Sequence, residues 1–589
     1  MPTQHLSDFK YEQSSGVYLP PLSSGHSVRE FAYTDGDSTE KYLLHAMETL
    51  DNLSYDSEEL FKAIKDWPSY YHFGPGRANI FKSLDLFPDS KVLELGSGCG
   101  AISRYLGEKF KSVDSIEGSF MRARIGRTRC RDLENVRLFC SNIDRIAFEP
   151  VYDIVTLIGV WEYASVYMEQ ACQDAFLSLF NSAKSALKSD GVLIIAIENK
   201  IGLKYWTGSP EDHTGKLYDS IHGYPRGKSA VTFSKNEIAG YLYDAGFKYF
   251  HFYHCFPDYK FASTVISDVG QENEMYLHNW VAIPFRILSG PREYNIHEGL
   301  ALRTLSKAGL LREFANSLVI VASQDDVNAV LKPDWVAKKI TGYPRRREYH
   351  CITTLKTNPN MHIEKVRIHS DEPSGSNRPR GEVVNHSVND APWHPGDLLI
   401  FDVYEAFFYN DFRDRIKGLL SIYYKELLTR FSKGDIDDSG YPLLEPVSID
   451  FMFRNIVKGY QALESIDTEW TAAEKIPADY VLFRCIRTDI IGSQYPGIKM
   501  NIGNHDKFII DLIRSIFPNY NSQRHYNNRC LEKRFMDSIG INIDLSWRED
   551  AARFGVLRKT KMLGLAKAIF HLLPEGVRLK IRQRLKYYS

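Results

Sequence analysis

The ten residues KVLELGSGCG, from Lys91 to Gly100, constrain the fold more than any other stretch of the chain. An apolar strand runs straight into three glycines at every second position, which lets backbone amides approach a ligand where a Cβ would collide. The dinucleotide fingerprint has the different spacing G-x-G-x-x-G and seats a pyrophosphate on a helix N-terminus. Here an acid, Glu94, stands two residues before the first glycine. The turn therefore favours a ligand with positive charge over a pyrophosphate.

Short apolar runs alternate with longer amphipathic stretches after this point. The runs are KVLEL, SVDSIE, VRLFC, YDIVTLIGV and GVLIIAIE. This alternation is typical of strand, helix, strand units that build a mostly parallel sheet. We therefore predict an α/β domain, with the glycine turn at the end of its first strand.

Polar side chains stand at the ends of the next two strands. Glu117 closes the second strand, 21 residues after Gly96. Nucleotide-binding α/β folds place a carboxylate at about this distance, about 20 residues on, to accept the ribose hydroxyls. Asn142 follows the third strand, where a polar side chain can meet an adenine edge.

This pattern resembles the class I S-adenosylmethionine-dependent methyltransferases, whose first motif has the E-x-G-x-G-x-G form seen in ELGSGCG. The resemblance implies a seven-stranded sheet with S-adenosylmethionine laid over the carboxyl ends of the strands. It implies that Glu94 fixes the methionine part, Glu117 the ribose and Asn142 the adenine. The implied cofactor residues are Glu94, Gly96, Ser97, Gly98, Gly100, Glu117 and Asn142. The alternative is a Rossmann-like domain that has lost its ligand.

Candidates for the chemical step follow the fourth and fifth strands. Trp161, Glu162 and Tyr163 come after the fourth strand, and Glu198 ends the fifth. A weakly nucleophilic hydroxyl needs its proton removed before it can accept a methyl group. We predict His213 as this general base, with Glu162 and Glu198 as alternatives. The competing interpretation of His213 is a residue that only fixes its loop.

The segments IENKIGLKYWTGSPEDHTG, VTFSKNEIAGYLYDAGF and YHCFPDYKFASTVISD carry a second resemblance. They resemble methyltransferase modules that accompany glycosyltransferases in bacterial surface-polysaccharide loci, over roughly Tyr70 to Ser267. This resemblance implies a sugar acceptor in a glycan or glycolipid, and a glycosyltransferase as partner.

A second set of residues has the spacing of a kinase. Asp450 and Asn455 match the D-x-x-x-x-N of a kinase catalytic loop, in which the Asp is the base that accepts the substrate proton and the Asn holds a metal ion. Asp467 stands where a second metal ligand is expected. Lys365, in the strand-like HIEKVRI, is a candidate for contacting ATP phosphates. The segment resembles the kinase and aminoglycoside-phosphotransferase fold and implies ATP and Mg²⁺. However, no glycine-rich loop precedes Lys365, and an inactive kinase-like domain or an unrelated fold are the alternatives.

The chain of 589 residues is long enough for several domains. We predict four parts: a helical extension 1–69, a methyltransferase domain 70–290, an α+β domain 291–500 that is kinase-like, and a helical region 501–589 with a basic tail. The net charge of −1 does not favour nucleic acid as a partner. The start of the chain lacks the pattern of a secretory signal, which favours the cytoplasm.

Residues 551–589 are basic and amphipathic, which suits peripheral contact with the inner face of a membrane. Docking of this tail on its own domain or on a partner is the alternative. Three functions remain open: a polysaccharide methyltransferase, a bifunctional methyltransferase and kinase that caps chains, and a membrane-associated scaffold that binds glycans.

Overall fold

The computed structural model describes most of the chain. The described residues are 4–21, 34–168, 174–225, 230–270, 275–281, 292, 294–326, 332–357, 360–369, 384–460, 462–493 and 502–541. The predicted basic tail, residues 551–589, lies outside them. Among the helices within these ranges, none combines the length and the apolar character needed to cross a bilayer.

The strands and helices are numbered in chain order. The strands are β1 Lys10–Glu12, β2 Val17–Leu19, β3 Lys91–Leu95, β4 Ser112–Glu117, β5 Val136–Cys140, β6 Tyr152–Ile158, β7 Leu187–Glu198, β8 Tyr249–Phe256, β9 Thr264–Ser267, β10 Ser317–Ser323, β11 Trp335–Thr341, β12 Cys351–Lys356, β13 His362–Arg367, β14 Val384–His386, β15 Ala391–Pro392, β16 Asp397–Leu398, β17 Ser432–Ile436, β18 Pro442–Leu444, β19 Ile456–Lys458, β20 Leu463–Ser465, β21 Trp470–Ala472 and β22 Ile476–Pro477. The α-helices are α1 Asp37–Thr49, α2 Glu58–Lys62, α3 Trp67–Phe73, α4 Asn79–Lys82, α5 Ala101–Lys109, α6 Phe120–Arg129, α7 Ala164–Tyr167, α8 Ala175–Ala186, α9 Leu203–Trp206, α10 Lys235–Asp244, α11 His278–Val281, α12 Glu298–Lys307, α13 Ile400–Ala406, α14 Phe412–Phe431, α15 Ala478–Cys485, α16 His505–Arg514 and α17 Ser522–Ser538.

One mixed sheet organises the molecule, in the order β1-β2-β5-β4-β3-β6-β7-β10-β8-β9-β11-β12-β13-β15. Strands β5, β4, β3, β6 and β7 are parallel neighbours, as the sequence rhythm predicted. Both faces of this part are covered: Val92 packs into one apolar core, while Leu93 and Leu95 pack into another. Burial on both faces explains why these strands are continuous apolar runs. The predicted α/β, Rossmann-like class is therefore confirmed.

The sheet extends past both predicted limits of its domain. Strand β10 lies between β7 and β8 and is antiparallel to both, so the sheet continues beyond the expected boundary at residue 290. At the other edge, β2 pairs with β5, although residues 1–69 were expected to be helical. Val17 of β2 is fully buried against Ala123 and Cys140, which explains why a segment of only three residues forms a strand there.

The second half of the chain builds on the same sheet. Strands β11, β12 and β13 continue it, so no gap in the sheet separates the expected methyltransferase and α+β regions. Beyond them, α14 buries Ile416, Leu420, Tyr423 and Leu427, which recur at helical spacing and form one stripe. This stripe belongs to a separate core that α13, α15, α16 and α17 share.

Truncation of a buried side chain in β10 tests its place inside the sheet. Ile320 pairs with Ile195 of β7 and Phe252 of β8, and it is fully buried. Ile320→Ala should lower the free energy of unfolding by about 2–5 kcal/mol in urea denaturation, because a cavity forms in the core. Ile422→Ala, at a side chain that is 65% exposed, is the control and should cost less than about 0.5 kcal/mol. Equal values for the two variants would contradict the assignment.

Candidate active site

The turn after β3 needs its three glycines for steric reasons. Gly96, Gly98 and Gly100 have φ angles of 81°, 55° and 77°, a region that favours glycine. A Cβ on Gly96 would overlap the side chain of Val160, and one on Gly100 would lie 2.7 Å from the Cα of Gly126. The turn can therefore pass close to the end of β6 and to α6 only without side chains.

A cavity opens over this turn, at the carboxyl ends of β3, β4, β5 and β6. The strand order reverses between β3 and β6, which is where ligands bind in open α/β sheets. The predicted cofactor residues that line the cavity are Glu94, Gly96, Ser97, Gly98, Glu117 and Asn142. Gly100 does not line it, because Gly100 faces α6 instead.

Glu94 is a buried acid at the floor of the cavity. Its Oε2 accepts hydrogen bonds from Ser103 Oγ at 2.5 Å and Ser115 Oγ at 2.7 Å. Burial raises the pKa of Glu94 to about 7; the nearby Glu117 also raises it, while Arg77 lowers it. The site thus holds a carboxyl group that a bound cation would ionise.

Glu117 is held in place by backbone amides. Its Oε2 accepts the N–H of Gly98 at 2.7 Å, and its Oε1 accepts the N–H of Ser119 at 2.9 Å. Because a carboxylate oxygen has two lone pairs, each retains capacity for a hydroxyl in the cavity. Asn142 and Ile143 follow β5 and line the same side.

The N-terminal side of the cavity comes from residues that the glycine motif did not predict. Tyr71, His72 and Arg77 lie in the run YYHFGPGR and line the cavity together with Arg122. The guanidinium of Arg77 lies 4.1 Å from the centre of the Tyr71 ring, and His72 Nε2 lies 2.9 Å from Asp35 Oδ2. The signal in the sequence that could have identified these residues is the concentration of aromatic and basic side chains in the segment that precedes β3.

The three candidates for the chemical step meet beside the cavity. Glu162 follows β6, Glu198 ends the neighbouring strand β7, and His213 lies in the loop after α9. One ligand atom of each lies within 4.8 Å of the others. His213 Nδ1 is 3.0 Å from the hydroxyl of Tyr163, which itself lines the cavity. The structure thus brings together residues that the sequence could only place at strand ends.

Two lysines neutralise part of the acidity behind this cluster. Lys260 Nζ contacts Glu198 Oε1 and lies 3.2 Å from Asp212 Oδ1. Lys204, which is fully buried, lies 2.7 Å from Asp212 and 3.2 Å from Asp258. Both lysines are therefore paired with carboxylates. On Glu198, Lys260 contacts the oxygen Oε1 and not Oε2.

The remaining members of the cluster hold protons at neutral pH. Burial, reinforced by Glu198, raises the pKa of Glu162 to about 8. Burial alone would lower the pKa of His213, but Glu198 and Glu162 override it and raise that pKa to about 9. Glu198 is ionised, because Lys260 and His213 hold its pKa well below the usual value despite burial. An imidazolium cannot accept a proton, so His213 can act as a base only after its proton has been displaced.

The carboxylate of Asp450 accepts hydrogen bonds from the protein backbone. Its Oδ2 accepts the N–H groups of Glu469 and Trp470, both at 2.8 Å, and Asn455 Nδ2 donates to the Asp450 carbonyl at 3.0 Å. Burial raises the pKa of Asp450 to about 7, although the N–H of Trp470 opposes this. The geometry is that of a residue that fixes its loop, whereas the sequence pattern predicted a catalytic base.

Lys365 and Asp467 come together from positions about one hundred residues apart. Lys365 Nζ forms an ion pair with Asp467 Oδ1 and lies 3.1 Å from Glu469 Oε2. Asp467 has a φ of 53°, which a non-glycine residue rarely adopts. The expected phosphate-binding lysine and the expected metal-binding acid are therefore neighbours in the structure.

No protein-family model matches the chain, and no curated protein matches it. Among solved structures the chain is similar to S-adenosylmethionine-dependent methyltransferases. One from Thermotoga maritima is 17% identical, over 42% of this chain and 88% of its own, with a TM-score of 0.25. Phosphoethanolamine N-methyltransferase 2 of Haemonchus contortus, in complex with S-adenosylhomocysteine, is 15% identical, over 50% of this chain and 61% of its own, with a TM-score of 0.28. Likeness at this level assigns no substrate to this chain.

The buried carboxyl group of Glu94 should make stability depend on pH. Its folded pKa of about 7 lies above the value of 4.5 for a free side chain, so ionisation destabilises the fold as pH rises between these values. In urea denaturation, Glu94→Gln should gain about 2–3 kcal/mol relative to wild type between pH 5 and pH 8. Glu149→Gln, at an exposed position, should show no such change. A difference that stays constant with pH would refute the raised pKa.

Proposed function

We propose that the protein is a methyltransferase that transfers the methyl group of S-adenosylmethionine to a hydroxyl of a surface-polysaccharide or glycolipid-linked sugar. The observation that carries the proposal is the position of Glu117, fixed by the glycine turn at the rim of a cavity over the strand ends. Glu94 at the floor of the same cavity supports a ligand with positive charge. In this arrangement the sulfonium lies over the turn, and Asn142 and Ile143 border the adenine.

The reaction is an in-line displacement at the methyl carbon. A lone pair of the acceptor oxygen forms the new C–O bond, and the electrons of the C–S bond return to sulfur. The products are a methyl ether, S-adenosylhomocysteine and one proton. Because this chemistry depends mainly on placing oxygen and methyl group in line, the protein has to bind and orient both substrates.

A sugar is the acceptor that the surroundings of the cavity favour. The segment after β7 resembles modules found with glycosyltransferases. Tyr163 and Tyr167 add aromatic rings on the cavity wall. Aromatic rings with a polar edge suit the mixed apolar and hydroxylated surface of a sugar. A glycosyltransferase partner and contact of residues 551–589 with a membrane belong to the same proposal.

Calorimetry with S-adenosylhomocysteine tests the cofactor site. Glu117→Ala should weaken binding at least about tenfold, because the ribose loses a charged acceptor worth about 1.5–3 kcal/mol. Glu149→Ala, an exposed acid outside the cavity, should bind as wild type does. Absence of binding in the wild-type protein would overturn the proposal.

The acceptor class is tested with methyl-labelled S-adenosylmethionine. The label should enter a lipid-linked glycan as a methyl ether, and transfer of the label to amines alone would refute a sugar acceptor.

A second activity, phosphotransfer from ATP, is supported by one observation. Lys365 and Asp467 meet as an ion pair, so a phosphate-binding lysine and a metal-binding acid, both of which a kinase needs, would lie at one site. Asp450 and Asn455 lie between them in the chain and are joined by a hydrogen bond. We propose this phosphotransferase as the second candidate function, which would make the protein bifunctional.

Binding of ATP with Mg²⁺ tests the second candidate. Lys365→Ala should weaken binding at least about tenfold, because the lysine contributes a charged contact to phosphate. Lys62→Ala, in an exposed ion pair with Glu58, is the control and should leave the affinity unchanged. No binding of ATP by the wild-type protein at millimolar concentration would remove the candidate.

A further inference from the structure

Three buried ligand atoms beside the cofactor cavity face one another without hydrogen-bond partners. They are Glu162 Oε2, Glu198 Oε2 and His213 Nε2, and among the described residues none donates or accepts a hydrogen bond at these atoms. Glu162 is 1% exposed and Glu198 is fully buried. His213 Nε2 lies 3.5 Å from Glu198 Oε2, and one ligand atom of Glu162 lies within 4.8 Å of ligand atoms of both residues. Leaving buried polar atoms unpaired is costly, so their convergence points to a missing ligand.

Charge identifies this missing ligand as a cation. In the described part of the chain, Lys260 reaches only Oε1 of Glu198, while Lys204 is engaged with Asp212 and Asp258. In the group formed by Glu198, Asp212 and Asp258, the two lysines therefore already offset two of the three negative charges. Among the described residues no lysine or arginine bonds Oε2 of Glu162 or Oε2 of Glu198, and His213 Nε2 lies 3.5 Å from the latter. As metal ligands the two carboxyl groups would be ionised and the imidazole neutral, so the set would balance a charge of two.

We propose that Glu162, Glu198 and His213 bind one divalent cation of the Mg²⁺ or Mn²⁺ class beside the S-adenosylmethionine site. The donor set supports this class, because carboxylate oxygens suit Mg²⁺ and Mn²⁺, and one imidazole is compatible with Mn²⁺. The three ligand atoms lie within 4.8 Å of one another. Two ligands at right angles on such an ion are about 3 Å apart, so small side-chain rotations close the site. The inference rests on the proposed methyltransferase function.

The surroundings orient the site towards the cavity. The hydroxyl of Tyr163, a residue that lines the cavity, lies 3.0 Å from His213 Nδ1. This contact fixes the orientation of the imidazole ring from the cavity side. Partners of this kind set the orientation of a metal-binding histidine. Glu162 lies three residues after Gly159, another residue of the cavity wall. With three protein ligands, an octahedral ion keeps positions open for oxygens of water or acceptor.

The cation would supply the activation of the acceptor hydroxyl that the proposed reaction needs. An acceptor hydroxyl bound to the ion loses its proton to water more readily, and the resulting alkoxide oxygen attacks the methyl carbon while the C–S electrons return to sulfur.

Electron paramagnetic resonance of Mn²⁺ with the full-length protein tests the inference. We expect one bound Mn²⁺ per chain, displaced by excess Mg²⁺. Glu162→Gln and His213→Ala should each weaken Mn²⁺ binding at least about tenfold, because each removes a ligand from a set of three. Glu149→Gln and His222→Ala, at exposed positions, are the matched controls and should bind Mn²⁺ as the wild type does.

Calorimetry with S-adenosylhomocysteine on the same samples separates the possible failures. Retained binding in Glu162→Gln or His213→Ala shows that the variant is folded, so loss of Mn²⁺ then reports the site itself. Wild-type protein that binds S-adenosylhomocysteine but no Mn²⁺ at millimolar concentration would overturn the metal site and leave the proposed function standing. Unchanged Mn²⁺ affinity in both folded variants would also overturn it. Mn²⁺ binding without S-adenosylhomocysteine binding would instead count against the proposed function.

Discussion

The parallel alignment of β3, β4, β6 and β7 is the constraint on which the candidate site depends. Because parallel strands end at the same edge, the residues that follow them become neighbours although they are far apart in the chain. The glycine turn, Glu117 and the cluster after β6 and β7 all lie along this edge. Hydrogen bonding within the sheet, reinforced by β10 against β7, thus fixes the cavity and the acids beside it.

Burial of charge is the second organising feature. Lys260 and Lys204 are withdrawn from water and held by Glu198, Asp212 and Asp258, so that two positive charges offset most of the negative charge at the back of the cluster. At the front, no lysine among the described residues bonds Oε2 of Glu162 or Oε2 of Glu198, and Glu162 and His213 hold protons instead. The contrast between a back paired with lysines and a front without them gives the site its direction, towards the cavity.

Sequence reasoning found the elements whose local pattern is strong. The five parallel strands are apolar runs, and the positive φ angles of the turn favour glycine. Both features could therefore be predicted from the sequence alone. The domain limits were harder, because β1 and β2 have only three residues each and β10 is distant in the chain from β7 and β8, between which it lies. Arg77 and Tyr71 were missed for a related reason, since they reach the cavity from a segment outside the motif.

The sequence by itself determined the α/β class, the turn and the types of residue at the strand ends. Only the tertiary structure decided what those residues do, because protonation and pairing depend on neighbours distant in the chain. Asp450 has the spacing of a catalytic base, yet one oxygen of its carboxylate accepts two backbone N–H groups. His213 was predicted to be a base, yet Glu198 and Glu162 keep it protonated. Spacing specifies which groups are present, whereas burial and contact set their charge.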